Sequence, residues 1–211
     1  MGIQPSAVVL VLTLVGGVVH PAAWAQRFQN PFRRTEPAPP PRPVDRTITR
    51  VVLGTGSGIP GESAVVPIEF TPAEGANIRL MKLSIDFASR NMKYVKLDPG
   101  PASDADRVEL AVEDYVTLAD EWAPSSKLTI RVALLPNYSG QQGIPAGVIG
   151  RLNFRINDDA DGAIVALDVT AEATEIGANA ALPSQKLRAE EGAVFVLAPG
   201  GPGNGCFFFT H

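Results

Sequence analysis

The chain has 211 residues, with 18 Lys and Arg against 22 Asp and Glu and a formal net charge of −4. That length suits one core of ordinary size with tails, and the acidic balance repels phosphate, which sets nucleic acid aside as a partner. The only thiol is Cys206 and the only imidazoles are His20 and His211, so neither a Ser-His-Asp nor a Cys-His arrangement can be assembled, nor a His/Cys metal set; the chain reads as a non-enzyme.

Ala7 to Val19 is an uninterrupted small-and-aliphatic stretch, followed by Ala23-Trp24-Ala25. This is the small-x-small pattern after which a signal peptidase cuts, and cleavage is expected between Ala25 and Gln26. About 13 apolar residues fall short of the roughly 20 that span a bilayer, so no transmembrane helix is expected after signal removal. Residues 1–25 are read as a signal peptide, and the product as secreted, extracellular or periplasmic, with cell-surface association as a further option.

From 26 to 47, prolines (Pro31, Pro37, Pro39, Pro40, Pro41, Pro43) alternate with Arg27, Arg33, Arg34, Arg42 and Arg46. Such a run forms neither ladder nor helix; the expectation is a disordered, extended spacer of polyproline character. Its basic sign is opposite to that of the chain that follows it.

Beyond the linker, apolar residues recur at every second position between turn residues, the period of strands. Nine are predicted: Ile48 to Leu53, Ser63 to Phe70, Asn77 to Phe87, Met92 to Leu97, Arg107 to Val112, Lys127 to Leu135, Val148 to Ile156, Ala163 to Ala171 and Ala193 to Ala198. The clearest sets Leu128, Ile130, Val132 and Leu134 against Lys127, Thr129, Arg131 and Ala133, one face for a core and one for water. Pro67 removes a ladder donor, which predicts an edge strand or a local break. Short antiparallel runs of this kind bury one face each by packing as two sheets, an all-β sandwich over 48–199. Residues 200–211 form a Gly-rich tail carrying Cys206-Phe207-Phe208-Phe209, read as a frayed tail that docks its phenylalanines on a neighbour, with a sorting or anchoring tail, too short to span a membrane, as the alternative.

Several local patterns invite chemistry. In Asn157-Asp158-Asp159-Ala160-Asp161-Gly162, the residues Asn157, Asp159 and Asp161, with Asp168 further on, stand at the ligand positions of a calcium loop. The flanks alternate as strands where that loop needs helices, so a hairpin turn is the favoured reading and calcium a weak one. Gly54, Gly56 and Gly58 fall between two strands with no helix to follow, which removes a phosphate cradle. Asp104, Asp106, Glu109, Glu113 and Asp114 cluster between strands and read as solvated loop. Tyr115 and Trp122 could form a small platform for sugar stacking, which makes polysaccharide binding the alternative function.

The order of motifs resembles the cohesin domains of bacterial extracellular assemblies. Gly58-Ile59-Pro60-Gly61-Glu62 leads into Val65-Val66-Pro67-Ile68, Gly75 precedes the long strand Ile78 to Phe87, and Tyr94-Val95-Lys96-Leu97-Asp98-Pro99-Gly100 follows. Gly147 to Ile156 and Glu191-Gly192-Ala193-Val194-Phe195-Val196 are similar to the family's later strands. The resemblance implies a nine-stranded jelly-roll sandwich that recognises a protein partner, a dockerin-bearing one in the family. Cofactors are none, calcium entering only through a partner. The partner face implied is the flat outer side of one sheet. With Met81, Leu83 and Ile85 inward, it comprises Ile78, Leu80, Lys82 and Ser84, then Thr129 and Arg131, then Ile164, Ala166 and Asp168. In this chain Asp86 is followed by Phe87-Ala88-Ser89, where the family has Asp-Pro.

Overall fold

The computed structural model describes residues 45–103, 105–119, 123–136 and 142–198. The expected signal peptide, most of the linker, Asp104, Trp122 and the Gly-rich tail lie outside these. The described residues form eleven strands: β1 (Thr49–Leu53), β2 (Thr55–Gly58), β3 (Ser63–Thr71), β4 (Ile78–Ala88), β5 (Met92–Pro99), β6 (Val108–Leu118), β7 (Ser125–Leu134), β8 (Gly147–Ile156), β9 (Ala163–Glu175), β10 (Leu187–Glu190) and β11 (Gly192–Val196). They build a five-stranded sheet in the order β10-β1-β3-β8-β5 and a six-stranded sheet in the order β2-β11-β9-β4-β7-β6.

The alternation read from the sequence places one side chain in two in the space between the sheets. Val51, Leu53, Val66, Ile68, Phe70, Leu152 and Phe154 come from one sheet, and Met81, Leu83, Ile85, Leu128, Ile130 and Val132 from the other; all are buried. Phe87 of β4 meets Phe154 of β8 edge to face, with centroids 5.3 Å apart, an arrangement the ring quadrupole favours. Dispersion and hydrophobic burial across this layer hold the sheets together.

The difference between nine strands and eleven has one cause. The first strand switches sheets at Gly54, continuing as β2, and the last does the same between β10 and β11. The two ends run parallel to each other throughout, β1 beside β10 and β2 beside β11. A β-carbon on Gly54 would lie 2.6 Å from Pro67 Cγ, so the switch needs a residue without one. The glycines at 54, 56 and 58 are thus part of a kinked strand pair and not a loop between strands.

Of the two outcomes expected for Pro67 the structure has the local break: β3 is an interior strand between β1 and β8, and its ladder is interrupted one residue on, at Ile68/Glu69. Two other expectations are corrected. Residues 157–162 are not a hairpin, because β8 belongs to the five-stranded sheet and β9 to the six-stranded one. They form a crossover, pinned where the Asn157 amide donates to the Arg90 carbonyl at 2.7 Å and the Asn157 N–H to Asn91 O at 2.9 Å. Finally, β6 extends to Leu118, well past the expected end at Val112.

Candidate recognition face

The outer side of β9, β4, β7 and β6 is a flat surface whose side chains follow from the register. Residues opposite each other in an antiparallel pair share a face. One row runs Asp168, Asp86, Lys127, Val116. The next is Thr170, Ser84, Thr129, Asp114, then Glu172, Lys82, Arg131, Ala111, and then Thr174, Leu80, Ala133, Glu109. The centre of the face is therefore made of small hydroxyl side chains, with charges above and below.

Lys82, Ser84, Thr129, Arg131 and Asp168 lie together in these rows, and Leu80 is half-buried among them. Ile164 and Ala166 stand on the same side, nearer the β11 edge, opposite Phe195 and Ala193. Ile78 is corrected: it is 0% exposed and belongs to the core. The β4–β9 register shifts between Ile78 and Leu80, so Arg79 is an extra residue and the alternation that turns Leu80 outward turns Ile78 inward.

The face also holds residues that strand periodicity did not bring to it. Glu113 is the extra residue of a bulge in β6, where the ladder shifts between Val112 and Asp114. Its carboxylate lies 3.1 Å from Lys82 Nζ and 3.6 Å from Arg131 Nε, while Glu109 accepts from Arg131 at 2.6 Å. Residues expected in a solvated acidic loop thus sit on a strand and bind across three of them. The available signal was the pair of cations, Lys82 and Arg131, on the outward positions of two neighbouring strands.

At the centre, the Ser84 hydroxyl oxygen is covered and finds no hydrogen-bond partner among the described residues. A buried hydroxyl left so is costly. Charges on the face are uneven: Asp86, Glu109, Glu113, Asp114, Asp168 and Glu172 outnumber Lys82, Lys127 and Arg131. Asp86 and Asp168 stand directly opposite each other, a juxtaposition of like charges that the Lys127 ammonium, 3.8 Å from Asp86, offsets in part.

The other candidate residues are placed elsewhere. Tyr115 turns toward the open edge of the sandwich, where its ring lies 5.3 Å from that of Tyr94 on β5. It closes the gap between the sheets at that edge; Trp122, the other ring of the sugar-stacking reading, lies outside the described residues. Burial, and secondarily the Asp98 carboxylate, push the Tyr94 phenol above its ordinary range. The residues of the calcium candidate are spread between the crossover and β9. Asp168 is on the outer face, the Asn157 amide is engaged at Arg90, and among the described residues no three His, Cys, Asp or Glu side chains converge as a metal site. Among the same residues no helix is long and apolar enough to cross a membrane.

No family model and no curated protein matches the chain. Solved structures do. The chain is similar to the sixth cohesin of scaffoldin B from Acetivibrio cellulolyticus, solved with a Cel5 dockerin mutant. The two share 18% identity over 72% of this chain and 100% of that one, with a TM-score of 0.53. It is similar to the third cohesin of ScaC from Acetivibrio cellulolyticus, in complex with the ScaB dockerin, at 19% identity over 72% and 100%, with a TM-score of 0.52. A third likeness is to the OlpC cohesin of Clostridium thermocellum in a cohesin–dockerin complex, at 16% identity over 71% and 93%, with a TM-score of 0.50. The described domain is a cohesin-like β-sandwich.

Proposed function

We propose that this chain is an exported, non-catalytic module that recognises a protein partner of the dockerin kind through the outer face of β9, β4, β7 and β6, and so serves extracellular or cell-surface assembly. The observation that carries the reading is the face itself: polar at its centre, where Ser84, Thr129 and Thr170 stand in one row, with a cross-strand ion network beside them. Interfaces of this sort gain specificity from paired polar groups more than from bulk hydrophobicity. Several of the solved structures that share its fold, the two Acetivibrio cellulolyticus cohesins among them, were captured with dockerins, which supports the class of partner. Export rests on the apolar leader and the Ala23-Trp24-Ala25 motif.

The test immobilises the chain and challenges it with a panel of dockerin modules, in calcium and in chelator. Binding to one or more, released by chelation, is the expected result. Ser84→Arg and Thr129→Arg should each cost about 2 kcal/mol or more of binding, as central interface positions do. Asn153→Arg, on the opposite sheet, should leave affinity unchanged. Absence of binding across the panel, or equal loss from both faces, would overturn the reading.

A further inference from the structure

At one end of the six-stranded sheet, beside the rows just described, the surface sinks into a depression of about 540 Å³. Its lining is mainly apolar: Phe87 and Ala88 from the end of β4, Pro124 before β7, and Ile164, Val165 and Ala166 from the start of β9. Ile164 is 54% exposed. Asp86, Arg90 and Asp168 stand at its rim. An apolar hollow on an otherwise charged face marks a place that something covers.

The chain itself points to the occupant. β11 runs antiparallel to β9, with Val196 opposite Ala163 and Phe195 opposite Ile164. Leu197 donates to the Gly58 carbonyl at 2.9 Å, and a β-carbon on Gly162 would meet that of Ala198 at 3.3 Å. The described chain therefore ends beside the first residues of β9, at the same end of the sheet as the depression. The next residues, Pro-Gly-Gly-Pro-Gly-Asn-Gly, lead to Cys206-Phe207-Phe208-Phe209. A glycine-rich tether of this length has an end-to-end distance of about 15 Å and a fully extended reach of about 30 Å.

We propose that the C-terminal segment of this chain folds back in cis and seats the rings of Phe207 to Phe209 in this depression. Consecutive phenylalanines expose a large apolar area to water, and the hollow lies within the tether's reach. An apolar cavity of roughly 150 Å³ accommodates a benzene-sized group, so the depression has room for more than one ring. The tether sets an effective concentration on the order of millimolar, so even a weak contact is substantially populated. This inference goes beyond partner recognition and does not depend on it.

Cys206 is the chain's only cysteine and adjoins the rings, which makes the contact testable by disulfide trapping. In the full chain, Ala166→Cys puts a thiol in the depression, and Asn153→Cys puts one on the outer face of the five-stranded sheet. Under a thiol–disulfide buffer, the first is expected to form an intramolecular disulfide with Cys206 at least about tenfold faster than the second. Replacing Phe207, Phe208 and Phe209 by Ser in the Ala166→Cys chain should remove that advantage. Equal rates at the two positions, an advantage that survives loss of the phenylalanines, or a product that is a disulfide dimer would each overturn docking in cis. None of these readouts involves a partner, so their failure is distinct from failure of the recognition reading.

Discussion

Gly192 has no room for a side chain. A β-carbon there would lie 2.7 Å from Leu53 Cβ and closer still to the Gly54 carbonyl, because the last strand passes the first at the point where both change sheets. Backbone on two strands would have to move together. Gly192→Ala is therefore expected to destabilise the domain by about 1–3 kcal/mol, the usual cost of overpacking, seen as a lower denaturant midpoint at unchanged slope. Tyr94 supports a second expectation at this scale. Its phenol titrates above the ordinary value of 10.0 when folded, chiefly through burial. A group with a raised folded pKa contributes its full stability while protonated in both states, and loses it as pH rises from 10.0 toward the folded value. Thermal melts across that alkaline window should fall less steeply for Tyr94→Phe than for the parent chain; parallel curves would show that the phenol carries none of the loss.

At the scale of elements, the stretches that alternate were legible: β7, the start of β9, β4 from Leu80 onward and β8 from Arg151 onward stand close to where periodicity put them, and they supply Lys82, Ser84, Thr129 and Arg131 to the face. Bulges hid the rest. In β6 the extra residue Glu113 breaks the period, so Asp114 and Val116 face outward where an unbroken count would turn them in. In β4 the extra residue at Arg79 sends Ile78 to the core. At 157–162 the turn residues predict a hairpin where the chain crosses between sheets, because they reveal a reversal and not which sheet receives the next strand. The ion network on this face yields a prediction about its role. Lys82, Glu113 and Arg131 are partly exposed, and such pairs typically contribute under about 1 kcal/mol each to stability. Glu113→Gln should barely shift the melting temperature. A double-mutant cycle of Lys82→Ala and Glu113→Ala should return a coupling of only about 0.5 kcal/mol. A coupling several times larger would mean that the bulge is held by this pair and not by the ladder around it.

Across the whole domain, the two outer faces carry opposite charge. Carboxylates dominate the six-stranded side. On the five-stranded side Arg50, Lys93, Lys96, Arg151, Arg155 and Arg188 outnumber Glu69, Asp98 and Glu190. Some of these cancel locally, as where Glu190 serves both Arg50 and Arg188. Among the described residues, however, Asp114, Asp168 and Glu172 make no ion pair. A domain so polarised orients a cationic ligand toward its acidic side before contact, an effect that acts on association rate and fades as salt shortens the Debye length. For a partner that binds the six-stranded face, Asp168→Lys with Glu172→Lys should slow association about tenfold at low ionic strength, with dissociation nearly unchanged. The gap between parent and variant should close as salt is added. Arg151→Glu with Arg155→Glu, on the far side, should leave association equal or slightly faster. Stopped-flow binding at low and high salt separates these cases. If the first variant alters dissociation alone, its carboxylates act as contacts within the interface and the field of the domain contributes nothing to the encounter.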